Sequence, residues 1–109
     1  MILLIIENKM NKLKSPDKTK TITQEKLESY FKITKQAIEI ASKANSNFDI
    51  KIKEDFLDMI TRYYKDAQYF KEKGEIVNAF AALNYAHGWL DAGARLKIFD
   101  VKDSRLFTV

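Results

Sequence analysis

From Ile76 to Leu90 the chain carries no Lys, Arg, Asp or Glu. The surrounding stretch, GEIVNAFAALNYAHGWLDAGARLKIF from Gly74 to Phe99, is mostly Ala, Leu and aromatics. Such residues favour a helix, and no β-branched run opposes one. A helix that is apolar on most sides is expected to be buried on most sides. The chain is therefore predicted to be all-α, a three-helix up-and-down bundle built around this third helix, with the other two wrapped round it.

The rest of the chain fits that plan. At 109 residues it suits one domain, and three Gly with one Pro argue against a turn-rich β fold. With no Cys there is no disulfide framework, thiol nucleophile or zinc–thiolate site, and the expected setting is a cytoplasmic one. Residues 1–20 hold five Lys against two acids, while the remaining residues are almost neutral. The basic groups are 16 Lys and only 3 Arg, and Arg is the better reader of phosphates and bases. A nucleic-acid accessory role through the Lys-rich arm is thus a third-ranked reading.

Residues 1–21 are predicted to be a flexible N-terminal arm and linker. Its MILLII opening is too short to span a bilayer and lacks the flanks of a signal peptide, and no membrane role is expected. Residues 22–99 form the expected bundle, and residues 100–109 a C-terminal tail.

The first helix is predicted from about Gln24 to Ala44, with Thr23 as N-cap and Ile22 and Leu27 as a hydrophobic staple. Leu27, Tyr30, Phe31, Thr34, Ala37, Ile38, Ala41 and Ala44 mark its inner face. The second helix runs from about Ile50 to Lys73, capped by Asp49 and stopped by Gly74. Its inner face is read as Ile52, Phe56, Met59, Ile60, Tyr63, Ala67 and Phe70. Gly74 then predicts a tight reversal and an antiparallel hairpin with the third helix. There, Ala79, Ala82, Ala86 and Gly93 form a small-residue stripe that permits close approach. Trp89 and Phe80 are expected to be core aromatics, whose truncation to Ala costs about 3–5 kcal/mol.

Asn84-Tyr85-Ala86-His87-Gly88-Trp89-Leu90-Asp91-Ala92-Gly93-Ala94-Arg95-Leu96 closely resembles the signature of an archaeal family of small helical proteins, domain-of-unknown-function family 357. Tyr64-Lys65-Asp66-Ala67, Phe70, Gly74-Glu75 and Asn78-Ala79-Phe80-Ala81-Ala82 resemble its preceding hairpin. The resemblance covers roughly residues 24–99. It implies a three-helix bundle and an archaeal source, and it implies no activity. Lys97 stands where the resemblance leads one to expect Gly, which leaves the end of the third helix open to extension as far as Phe99.

His87, the only His, lies four residues before Asp91, so the two share a helical face. Arg95 lies four further on, and Asn84 and Gly88 flank the strip. His and carboxylate at this spacing are weak candidates for metal ligation, with a third ligand sought at Asp58 or Asp66, or for a base–orienter pair. The alternative is that Asp91 fixes His87 or pairs with Arg95 beside the core. Gly88 beside Trp89 can open a ligand slot or admit a bulky neighbour. His87, Asp91, Arg95, Asn84 and Trp89 are therefore the ligand or polar-site candidates. No phosphate-binding loop, nucleophile elbow or paired-carboxylate motif is present, and no cofactor is implied.

The leading reading is a non-enzymatic interaction module that binds a protein partner or itself, with an enzyme reading, a metal-assisted hydrolase or ligand-binding site built on His87, Asp91 and Arg95, as its rival. Ile33 and Ile40, Leu57 and Tyr64 lie off the inner faces. Together with MILLII they exceed what a single three-helix body is expected to cover. That surplus predicts a homodimer at micromolar concentration, with the arm sharing in the contact.

Overall fold

A computed structural model describes residues 20–108. Three helices follow one another: α1, Gln24–Lys43; α2, Ile50–Glu72; α3, Ile76–Arg95. The fold is an all-α bundle, with no strand among the described residues. No described helix is long and apolar enough to cross a membrane. Expectations about the MILLII arm fall outside the described residues.

The helix ends follow local chemistry. Thr23 caps α1, its hydroxyl oxygen accepting from Lys26 N at 3.1 Å. Asp49 caps α2 by accepting from Lys51 N at 2.8 Å. At the far end of α2, Gly74 takes a left-handed φ of 76°. Glu75 N then bonds Phe70 O at 2.9 Å and Gly74 N bonds Lys71 O at 3.1 Å. These two hydrogen bonds form the Schellman stop, which releases the chain straight into α3.

The same motif ends α3, but with Lys in place of Gly. Lys97 has φ 62°, Ile98 N donates to Gly93 O at 2.8 Å, and Lys97 N donates to Ala94 O at 3.2 Å. The helix therefore stops at Arg95 and does not extend to Phe99. Satisfied carbonyls and the burial of Ile98 and Phe99 outweigh the steric preference of a side chain against the left-handed region.

α2 and α3 make the most extensive contact, and small residues allow it. Ala79, Ala86 and Gly93 are buried along one line of α3. At Gly93 a Cβ would lie 2.6 Å from Phe99 Cδ2, so the ring occupies the space a side chain needs. α1 covers this pair from one side with Leu27, Tyr30, Phe31, Thr34, Ala37 and Ala41, as its spacing predicts. The core has two parts. One, near the hairpin turn, gathers Leu27, Tyr30, Phe31, Ala67, Ala79 and Leu83. The other gathers Ala37, Ala41, Ile60, Ala86 and Leu90 with the chain beyond α3, where Ile98, Phe99, Val101, Leu106 and Phe107 are all buried. The tail is thus part of the core. Asp100 N to Asn45 O (2.8 Å) and Asn47 N to Lys97 O (3.1 Å) tie its start to the α1–α2 loop.

Four expectations are corrected. On α2, Ile52 is exposed and Lys53 is buried. The Lys53 ammonium donates to Ser42 O at 3.1 Å and to Ala44 O, so it caps the last carbonyls of α1, where a cation is favoured. Trp89 and Phe80 are half-buried and lie at the edges of the core, so their truncation removes less buried area than a full core aromatic. Of the described residues in the apolar surplus, Ile33, Leu57 and Tyr64 pack against the core, and Ile40 is exposed. Most important, α3 is not wrapped on all sides. Val77, Ala81, Tyr85, Gly88 and Ala92 are exposed on the face turned away from the core.

The Lys97 geometry gives a direct test. Lys97→Gly removes the left-handed penalty while keeping both backbone bonds, and should stabilise the fold by about 1 kcal/mol. In a thermal melt this is an increase of roughly 4–8 °C in Tm.

Candidate functional site

α3 presents the candidate residues in two separate places. The first is at His87, whose side chain is enclosed between α1 and the tail at 2% exposure. Its Nε2 lies 2.7 Å from Leu106 O, and its Nδ1 lies 3.0 Å from Thr34 Oγ1. A carbonyl only accepts, so Nε2 carries the proton and donates to Leu106. Nδ1 is then the acceptor for the Thr34 hydroxyl. Asp91, one turn on, lies 3.7 Å from His87 Nε2 and accepts from Thr108 N at 2.9 Å. The pair therefore holds the last described residues onto α3, with Thr34 linking α1 to the same network.

Burial lowers the proton affinity of His87 below the ordinary imidazole value, against the opposing effects of the Asp91 carboxylate and the Leu106 carbonyl. The imidazole is thus held neutral, with both ring nitrogens engaged. No free nitrogen faces a reactant or a metal in this arrangement. Among the described residues no group of three or more His, Cys, Asp or Glu stands close enough to hold a metal ion. Asp58 and Asp66 therefore do not complete a ligand set. Asp58 pairs with Arg62 at 3.0 Å on the surface of α2, and Asp66 is exposed. Arg95 is also exposed, at the last turn of α3.

The second place is a shallow groove of about 410 Å³ between α2 and α3, lined by Phe56, Asn84, Tyr85, Gly88, Trp89 and Ala92. It contains Asn84 and Trp89; Trp89, two residues on from His87, lies on nearly the opposite side of the helix, whereas Asn84 lies one turn before His87. None of its lining residues is charged. Trp89 packs edge-on to Phe56 with ring centroids 5.0 Å apart, and Tyr63 and Tyr85 lie 4.4 Å apart further along. A Cβ placed on Gly88 meets nothing within 4 Å. Gly88 therefore opens a notch and does not admit a bulky neighbour from another helix of this chain.

A further cleft, about 350 Å³, lies between α1 and the tail, lined in part by Ile33, Ile40, Asp103 and Arg105. Arg105 makes a two-pronged bond to Asp103 there, Nε to Oδ1 at 3.0 Å and Nη2 to Oδ2 at 2.9 Å. These bonds hold the Asp103 carboxyl below the usual carboxylate range.

A family model described as "Protein of unknown function (DUF357)" matches residues 29–99. The chain belongs to that family. The matched span takes in most of α1, both helices of the hairpin and the turn that ends at Phe99, and so contains the groove and the His87–Asp91 pair. The tail bonded by that pair lies beyond it. No curated protein and no solved structure matches the chain.

Two contributors to this architecture escape a reading of the sequence. Thr34 is legible as an inner-face residue, but its bond to His87 spans 53 positions. Lys53 lies seven residues before Ile60 and fourteen before Ala67, so helical spacing alone places it on the buried line. Its charge argued the other way.

His87 predicts a pH dependence with a definite sign. The unfolded chain takes up a proton near the ordinary imidazole pKa of about 6.5, whereas the native imidazole resists it. Stability is then fully present above that pH and falls as the pH drops toward the lower folded-state value. Between about pH 7.5 and about pH 5, Tm of the wild type should fall further than Tm of His87→Gln, which lacks the titrating ring.

Proposed function

We propose that this chain is a non-enzymatic interaction module that associates with itself through the outer face of α3. The observation that carries the reading is the exposure of an uncharged helix face. From Ile76 to Leu90 there is no Lys, Arg, Asp or Glu and the one His is buried, yet Val77 is 71% exposed and Tyr85 54% exposed. A solvent-facing helix surface ordinarily carries charges, and a contiguous apolar surface without them marks a contact site. Leu96, 57% exposed, extends the same face beyond the helix end.

A second copy suits this face because its centre has no charge to oppose a like charge in an identical surface. The half-buried rings of Phe56, Trp89 and Tyr63 flank it and supply the aromatic area that dominates contact energetics. In this reading His87 and Asp91 are structural, serving to fix the tail, and the groove beside Gly88 is part of the contact.

Sedimentation equilibrium tests the proposal. The full chain should form dimers at micromolar concentration. Ala81→Glu, on the exposed face, should leave the thermal melt of the monomer within about 0.5 kcal/mol of wild type. It should also shift the chain to monomer, because a charge would be buried unpaired in the contact. A full chain that remains monomeric at its highest soluble concentration would overturn the reading. An Ala81→Glu dimer as tight as the wild type would move the contact to another face.

A further inference from the structure

The outer face of α3 has an internal order that goes beyond its lack of charge. Its exposed apolar positions and Gly88 form a line, Val77, Ala81, Tyr85, Gly88, Ala92 and Leu96, with the exposed Asn78 and Arg95 beside its two ends. Separations along the line run four, four, three, four and four, the same read forwards or backwards. We infer that two copies pair their α3 helices antiparallel about a two-fold axis between Tyr85 and Gly88, with Tyr85 of each copy seated in the Gly88 notch of the other. This inference rests on the self-association proposed above and specifies its geometry.

Three features lead to this register. Alternating three- and four-residue steps keep a line of side chains on one side of a helix, which is the spacing of an interhelical seam. Reversal about the midpoint sets Val77 against Leu96, Ala81 against Ala92, and Tyr85 against Gly88. Each bulky residue then meets a small or compatible one, as packing at native density requires. The central pairing is the most specific. Tyr85 is a large ring left 54% in solvent, and Gly88 leaves more than 4 Å of open space where a side chain would be. Within one copy the ring and the notch are neighbours on the same helix, so the ring cannot turn back to fill it. A second copy inverted about the axis brings the two together twice.

The parallel alternative fits less well. It would set Tyr85 against Tyr85 and Gly88 against Gly88, crowding one layer and emptying the next. The antiparallel operation also brings the two α2 shoulders to the same side. Phe56, Met59 and Tyr63, half-buried in one copy, then line the edge of a four-helix layer.

Cysteine cross-linking reads the register, and the wild-type chain has no Cys to interfere. Ala81→Cys and Ala92→Cys are made separately and then mixed under mild oxidation. On one helix these positions are about 16 Å apart. In the inferred register, position 81 of one copy lies beside position 92 of the other, while 81 is about 16 Å from its own counterpart, beyond disulfide reach. The mixture should give the mixed disulfide, and each variant alone should give little. Strong cross-linking of either variant alone, or none in a sample that sediments as a dimer, would overturn the register while leaving self-association intact. No cross-link in a sample that sediments as a monomer would overturn both. Gly88→Leu gives a second reading. It closes the notch at an exposed helical site, so the monomer should melt no lower than wild type while the dimer weakens by about tenfold or more. An unchanged dimer would show that the notch is not filled.

Discussion

The close approach of α2 to α3 across Ala79, Ala86 and Gly93 is the contact on which the rest of the structure depends. A side chain larger than Ala at 79 or 86 has no room in the buried line, and at Gly93 even a Cβ would displace the Phe99 ring. The ring is held there because the Gly93 carbonyl accepts from both Ile98 N and Phe99 N as α3 ends. One residue thus sets the spacing of a helix pair, ends a helix and directs the following chain into the core. From that turn the tail runs past the α1–α2 loop and supplies Val101, Leu106 and Phe107 to the cluster containing Leu90 and Ile60.

The polar network of His87 follows from this route. A tail crossing the end of a bundle brings backbone carbonyls and amides next to apolar surface, and such groups must be bonded when buried. The His87 ring serves Leu106 O on one side and the Thr34 hydroxyl on the other, and Asp91 serves Thr108 N. Lys53 does the same for the last carbonyls of α1. In both places a residue type usually associated with chemistry or solvent acts as a fastener between segments distant in sequence. Directional bonds of this kind contribute little net energy, but breaking one leaves a buried group unpaired.

Local signals were legible in the sequence wherever the physics was local. Thr23, Asp49 and Gly74 announced helix boundaries, and the spacing of Leu27 to Ala41 gave the inner face of α1. The same spacing places Ile60 and Ala67 on the buried face of α2. What failed was non-local. Lys53 against Ala44, Phe99 on Gly93 and Leu106 on His87 are pairings that no periodicity encodes. Lys97 was misleading because propensity disfavours it in a left-handed turn, and tertiary burial of its neighbours prevailed. Of the candidate residues, His87 and Asp91 share a face as their spacing required, but Asn84 and Trp89 lie in a different place. The absence of charge in α3 predicts burial on most sides. In the folded chain it accounts for burial on one side and leaves the other in solvent.

That uncovered face makes the single tryptophan a reporter of self-association. Trp89 lines the groove beside Gly88 and Ala92, at the edge of the surface proposed to pair with a second copy. The direct measurement is acrylamide quenching of Trp89 fluorescence over a dilution series spanning the micromolar range. Quenching should increase on dilution, in step with dissociation of the dimer. A quenching constant that stays the same from the most concentrated to the most dilute sample, while the chain remains dimeric at one end and monomeric at the other, would contradict the assignment of the contact to this face.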